Sequence, residues 1–159
     1  KDMKVLIAFP PRKSGVYAIP EGVEMIGQSA FYESELTSIA ASSGLRRILM
    51  SAFALCRNLL TFAIPTGVEE IGDYAFAQSG VVTVTIPSGV KKIGMNAFCG
   101  CNRLESVCLP KSIETIGEGA FIECESLITI YAFEGCAFNT RNFYDRRKVN
   151  VFFSYVNNA

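Results

Sequence analysis

The residues of this chain with the most chemical potential are its six cysteines: Cys56, Cys99, Cys101, Cys108, Cys124 and Cys136. A nucleophilic thiol needs a partner base, and a structural zinc wants four ligands in CxxC-like pairs or with His. The 159 residues contain no His and no Trp. That absence excludes a Ser-His-Asp triad, a Cys-His pair and a His-ligated metal, and it removes the commonest general base. Cys99-x-Cys101 is a compact pair, but no second pair stands at zinc spacing. Carboxylates are the remaining candidates. Glu69-Glu70 and Glu33/Glu35 could be taken for the two acids of a glycosidase, yet nothing around them marks burial, and a solvated surface is expected. No catalytic residue, metal ligand or cofactor is assigned, and the chain is not expected to be an enzyme.

Fifteen basic and fifteen acidic residues cancel, which argues against a nucleic-acid partner. Half of the residues are hydrophobic, enough for one folded domain rather than disorder. No run approaches the roughly 20 apolar residues of a membrane helix, so no membrane insertion is expected. Val5 to Phe9 is too short for a signal-peptide core and is broken by Pro10 and Pro11. The chain opens on Lys1 rather than Met, as a processed or trimmed product lacking its leader would.

What must position any functional side chain is a repeat. Ala-Phe recurs at Ala30-Phe31, Ala52-Phe53, Ala75-Phe76, Ala97-Phe98 and Ala120-Phe121, in steps of 22, 23, 22 and 23. Ile19-Pro20, Ala41-Ser42, Ile64-Pro65, Ile86-Pro87 and Leu109-Pro110 keep the same beat. So do Gly27, Gly72, Gly94 and Gly117, with Leu49 breaking the pattern. Five units follow: 19–40, 41–63, 64–85, 86–108 and 109–131. The one-residue alternation lies after the Phe, where Cys56, Cys101 and Cys124 precede two spacers but Ser34 and Ser79 precede one. A deletion confined to one spot suits a surface turn.

A unit this short cannot bury its own apolar side and must stack into a solenoid. LxxVxL patterns (Leu104/Val107/Leu109, Leu59/Phe62/Ile64, Val81/Val84/Ile86) give one short strand per unit, in a parallel sheet with a spacing of about 4.8 Å. Val68 to Ile71 forms a second extended piece. Gly72 is expected to turn the corner at positive φ, and Asp73 to Phe76 to return as a helical turn that stacks Phe into a spine. Cys56, Cys101 and Cys124 are expected as buried free thiols. Cys124 to Cys136 is a less hindered disulfide alternative than Cys101 to Cys124.

These landmarks carry a resemblance. IPTGVEEIGDYAF, IPSGVKKIGMNAFCGC and LPKSIETIGEGAFIEC resemble the IPxxVxxIGxxAFxxC signature of the BspA-like leucine-rich-repeat family over residues 19–131. The resemblance implies a repeat solenoid, a right-handed leucine-rich-repeat superhelix. It also implies a cell-surface or secreted protein of host-associated microbes that binds host or microbial partners. The second unit, ASSGLRRILMSAF, lacks both the Pro and the corner Gly. Residues 1–18 and 132–159 match no unit and are expected to be N- and C-terminal caps of a single domain. The C-terminal one is rich in aromatics (Phe133, Phe138, Phe143, Tyr144, Phe152, Phe153 and Tyr155) and ends in a strand-like stretch, 148–156. Arg146-Arg147-Lys148 is expected to be a solvated basic turn.

Columns of the stack separate structural from functional positions. Glu24, Arg46, Glu69, Lys91 and Glu114 alternate in sign, which holds register. The outward strand positions form three columns: Thr37, Leu60, Val82, Glu105, Ile128; Ser38, Thr61, Thr83, Ser106, Thr129; and Ala40, Ala63, Thr85, Cys108, Tyr131. β-Propensity explains the Thr residues but explains an exposed aliphatic column less well. An apolar face rimmed by hydroxyls suits a protein or glycan surface. The candidate partner-binding face is Leu60, Thr61, Val82, Thr83, Thr85, Glu105, Ser106, Ile128, Thr129 and Tyr131. Its expected partner is a protein or glycoprotein of host matrix or another microbial surface. The alternative is a structural spacer, or a self-associating segment forming homo-oligomers through the solenoid ends or strand face. Charge is unevenly spread: net +3 over 1–18, −5 over the repeats and +2 over 132–159.

Overall fold

The computed structural model describes residues 4–10, 13–138, 140–142 and 149–154. Among these, the chain is a solenoid whose rungs each contribute two strands, one more than the single strand counted from sequence. The shorter strands, β1 (Val5–Leu6), β3 (Met25–Ile26), β5 (Arg47–Ile48), β7 (Glu70–Ile71), β9 (Lys92–Ile93) and β11 (Thr115–Ile116), form one parallel sheet in chain order. The LxxVxL strands form the other wall in two parts. One part pairs β2 (Ser14–Ala18), β4 (Glu35–Ala40) and β6 (Thr61–Phe62); the other pairs β8 (Thr83–Thr85), β10 (Ser106–Leu109), β12 (Thr129–Phe133) and β13 (Asn150–Ser154). A short 3-10 helix, Thr140–Asn142, precedes β13.

Between the walls runs the apolar column that the Ala-Phe repeat predicts. Phe31, Phe53, Phe76, Phe98 and Phe121 are buried, with ring centroids 5.1, 5.0, 5.1 and 5.3 Å apart and interplanar angles of 2–20°. The Ala before each Phe is buried too, and its carbonyl accepts the N–H of the preceding rung's Phe at 2.7–2.8 Å. Only a small side chain lets the backbones approach this closely.

The return segment is not the helical turn expected from sequence. Each of the five units places two residues at φ of +53 to +67°: Tyr74 and Gln78 in the third unit, Gly119 and Glu123 in the fifth. A helix would aim successive N–H groups along its own axis, four residues back. Here the left-handed residues aim alternate N–H groups along the stack instead. Tyr74, Phe76 and Gln78 donate to the carbonyls of Met95, Ala97 and Cys99 at 2.7–2.9 Å. Most residues at these positions are not Gly and carry the cost of the left-handed region. Glu33 (φ 56°) is exposed and stands in the column that Gly100 fills two rungs on from Leu55. Glu33→Gly is therefore expected to stabilise the fold by about 0.5–1 kcal/mol, read as a raised melting temperature; a loss of stability would contradict the assignment.

The corner glycines also differ from expectation. Gly72, Gly94 and Gly117 do not adopt positive φ. They are glycines because the neighbouring backbone occupies the space of a Cβ: at Gly72 it would lie 2.8 Å from Leu49 C and Met50 N. The second unit keeps register without this Gly, since Leu49 N–H donates to Ile26 at 3.0 Å as Gly72 N–H does to Ile48 at 2.8 Å. Ser42, standing in the Pro column, donates its hydroxyl to the Val23 carbonyl at 3.2 Å.

The N-terminal cap is itself a rung. Ala8-Phe9 lies 22 residues before Ala30-Phe31, Phe9 N–H donates to Ala30 at 2.7 Å, and the Phe9 ring sits 5.1 Å from Phe31. At the other end, Asn142 takes the Ala position. Its carbonyl accepts the Phe121 N–H at 3.1 Å, and its buried side chain donates to Ile116 and Gly117 at 3.0 and 3.1 Å. Phe143, Tyr144, Tyr155 and the Arg146–Lys148 basic turn lie outside the described residues.

Candidate functional site

Three of the six thiols are built into the stack. Cys56, Cys101 and Cys124 are buried and form no disulfide, and each donates its S–H to a Phe carbonyl one rung back: Phe31 at 2.9 Å, Phe76 at 3.0 Å and Phe98 at 3.1 Å. Ser34 and Ser79 share the column, their hydroxyls 3.3 and 3.5 Å from Cys56 and Cys101 Sγ. Burial pushes the Cys101 thiol up to about 11 from an ordinary 9.0, and raises Cys56 as well. Alkylation by iodoacetamide at mildly alkaline pH is therefore expected to reach the half-buried Cys108 and Cys136 first. Cys56, Cys101 and Cys124 should react only on unfolding. Peptide mass spectrometry reads the order, and labelling of Cys101 in folded protein at the rate of Cys108 would contradict it.

The charged column is stacked as expected, with Arg46, Glu69, Lys91 and Glu114 each donating its N–H to the residue one rung back at 2.8–2.9 Å. Its side chains pair at Lys91–Glu114, 3.7 Å. The tightest contact lies one column over, in a column the sequence reading does not pick out. Glu70 sits between Arg47 at 3.9 Å and Lys92 at 2.9 Å, and its carboxylate raises the Lys92 pKa through a hydrogen bond and its charge. These pairs are largely exposed and set register more than stability. Among the described residues, no group of three or more His, Cys, Asp or Glu could hold a metal ion. No helix there is long and apolar enough to cross a membrane.

The strand face is assembled as the columns predict. Ser38 pairs with Thr61, and Thr83, Ser106 and Thr129 lie side by side on β8, β10 and β12. Thr85, Cys108 and Tyr131 form the next column. Inward neighbours Val84, Val107 and Ile130 are buried, so the alternation forces these residues outward. Thr61, Thr83, Thr85 and Glu105 are exposed, and Val82, Ser106 and Thr129 half-buried. Leu60 and Ile128 are 39% and 60% exposed, and Tyr131 47%.

Two members of the face were not assigned from sequence. β13 extends the columns by one rung, setting Phe152 beside Tyr131 with rings stacked at 5.7 Å and 22°. Phe133, at the end of β12, is also exposed. The signal was present, since Phe152 follows Tyr131 by 21 residues. The third column thus grows from Ala18, Ala40 and Ala63 through Thr85 and Cys108 to Tyr131 and Phe152. Beside it, a depression of about 190 Å³ is bordered by Thr85, Cys108, Pro110, Tyr131 and Phe133. A wider one of about 420 Å³ lies between Thr61, Thr66, Thr83 and Thr85, where the wall changes from β6 to β8.

Solved structures share this fold. A leucine-rich cell surface protein of Faecalibacterium prausnitzii is 30% identical, with a TM-score of 0.77 over 80% of this chain and 35% of that one. A leucine-rich repeat protein of Bacteroides ovatus is 29% identical, with a TM-score of 0.69 over 84% of this chain and 43% of that one. The pneumococcal vaccine antigen PcpA, 20% identical, has the same fold, with a TM-score of 0.78 over 98% of this chain and 40% of that one. The chain thus spans less than half the length of each of these three proteins. A comparison with curated proteins gives no match. The model of the BspA-type leucine-rich-repeat region matches residues 24–150 in six copies, taking in the C-terminal rung beyond the five units read from sequence. With the Phe spine, the two strands per rung and the repeat signature all in phase, the chain belongs to the BspA-type leucine-rich-repeat family.

Proposed function

We propose that the chain is a non-catalytic recognition module of a cell-surface or secreted protein, binding a protein or glycoprotein through the outward face of β8, β10, β12 and β13. The observation that carries this reading is the exposed run of Ile128, Tyr131, Phe133 and Phe152 beside a column of hydroxyls. Aromatic side chains of this kind supply large contact area at low entropic cost and anchor many interfaces. The rigid stack holds them in place before binding, which lowers the cost of association. Similarity to a cell-surface leucine-rich protein supports the location.

Thr83→Arg combined with Ile128→Arg tests the face. Both positions are exposed, so the melting temperature should hold. Binding to whichever purified matrix protein or glycoprotein the parent retains should fall by at least about tenfold, as desolvated charge at an interface core requires. Unchanged affinity would move the site off this face.

A second reading, self-association, is favoured by the last described rung. Val151 and Phe153 stand opposite the buried Ile130 and Ala132, yet are 37% and 50% exposed. Sedimentation at rising concentration separates the two: a monomer throughout counts against self-association.

A further inference from the structure

The corner before the LxxVxL strands holds a second site, separate from the strand face. The third unit passes this corner one residue short, with Ser79-Gly80-Val81 against Cys56-Arg57-Asn58-Leu59 before it and Cys101-Asn102-Arg103-Leu104 after it. The short rung is drawn tight onto its neighbour. Gly80 N–H donates to the Cys56 carbonyl at 3.0 Å, and a Cβ on Gly80 would lie 2.1 Å from the Arg57 carbonyl oxygen. The longer rungs on either side stand above it, leaving a cleft of about 600 Å³ with Gly80 in its floor.

The charges around this cleft are arranged differently from those at β5 and β9. The four cations on or just before those strands are engaged: Arg47 and Lys92 with Glu70, Lys91 with Glu114, and Arg46 with the Gly67 carbonyl at 3.3 Å. Arg57 and Arg103, which both line the cleft, make no ion pair or side-chain hydrogen bond with any described residue. They stand two rungs apart, roughly 10 Å at the spacing of a parallel stack, so both side chains can reach one anionic group between them. Gln78 and Asn102 add planar amides, and Glu123 and Glu125 line the far end.

We propose that this notch binds a single acidic sugar residue, its carboxylate held between Arg57 and Arg103 and its hydroxyls by Gln78, Asn102 and Glu123. Guanidinium groups match carboxylates in shape as well as charge. Glu123 accepts hydrogen bonds from neutral hydroxyls but repels a second negative charge. That pairing selects one acid group followed by neutral polyol, and disfavours an acidic peptide or a polyanion. The site does not depend on the strand-face reading.

The test is saturation-transfer NMR and calorimetry with methyl α-sialoside and methyl β-glucuronide. Methyl β-glucoside serves as the neutral probe and a heparin oligosaccharide as the polyanion. One or both acidic glycosides should bind, identifying sialic or uronic acid as the source of the carboxylate, and the glucoside should bind at least about tenfold more weakly. Arg57→Gln and Arg103→Gln should each weaken binding by at least about fivefold, and the double variant should abolish it. Both side chains are exposed, so the melting temperature should not move. Inserting one Asn after Gly80 fills the notch while keeping both arginines, and should also abolish binding. Three results would overturn the proposal: no binding of either acidic glycoside, equal binding of the neutral one, or tighter binding of heparin.

Discussion

Replacing Phe76 by Ala is expected to destabilise the chain by about 3–5 kcal/mol, the range for removing a buried aromatic ring. The ring is 1% exposed and lies between Phe53 at 5.0 Å and Phe98 at 5.1 Å, with Phe62 at 5.6 Å on its flank. The cavity cannot close by collapse. Rung spacing on both sides is fixed by the Phe53-to-Ala75 and Phe76-to-Ala97 hydrogen bonds, each 2.7 Å. In a stacked repeat each rung is stabilised by its neighbours. A void at the centre should therefore also weaken the coupling between the two halves and broaden or split the unfolding transition. Urea denaturation followed by circular dichroism measures both effects. A variant within about 1 kcal/mol of the parent, with one sharp transition, would mean that the spine does not couple the rungs.

Gly117→Ala should be nearly as damaging, although it adds one methyl group. The new Cβ would meet three backbone atoms of the preceding rung, Met95 N at 2.3 Å, Gly94 C at 2.5 Å and Met95 Cα at 2.6 Å. Flexible side chains can move out of the way, but these atoms belong to the ladder. Gly117 N–H itself donates to Ile93 at 2.8 Å. Relief requires the two rungs to separate, stretching bonds on both walls, and a cost of about 3 kcal/mol is expected. Because φ is not positive at this site, the loss comes from crowding rather than backbone preference. Gly22→Ala separates the two causes. Gly22 has φ of 82° but only the Lys4 side chain nearby, so its replacement should cost about 1–2 kcal/mol. Equal costs at the two sites would remove the distinction.

Periodic features were the legible part of this fold. The Ala-Phe beat located the spine, and the LxxVxL pattern located the strands whose outward residues form the candidate face. Features that depend on what the neighbouring rung places nearby were not legible. Gly72 looks the same in sequence whether it turns a corner or makes room for Leu49 and Met50. The left-handed residues Tyr74, Asn96 and Gln78 carry no shared residue type, because their conformation is imposed by hydrogen bonds to the next rung. Degenerate end rungs are hard to read for a different reason. Phe9 keeps the spacing but lacks the Ile-Gly before it, and Asn142 replaces Ala with a side chain that binds two carbonyls of the preceding rung. On the candidate face, all ten positions could be placed in columns from spacing alone. Phe152 reads as cap because the repeat signature has faded by β13.

Hydrogen–deuterium exchange of the chain with and without a matrix protein or glycoprotein that it binds checks the claim that the strand face recognises a partner. Main-chain amides of β8, β10, β12 and β13 are predicted to gain protection in the complex, together with the side of the fold carrying Ile128, Tyr131 and Phe152. Protection confined to the opposite sheet of β3, β5, β7, β9 and β11, with the strand face unchanged, would contradict the claim.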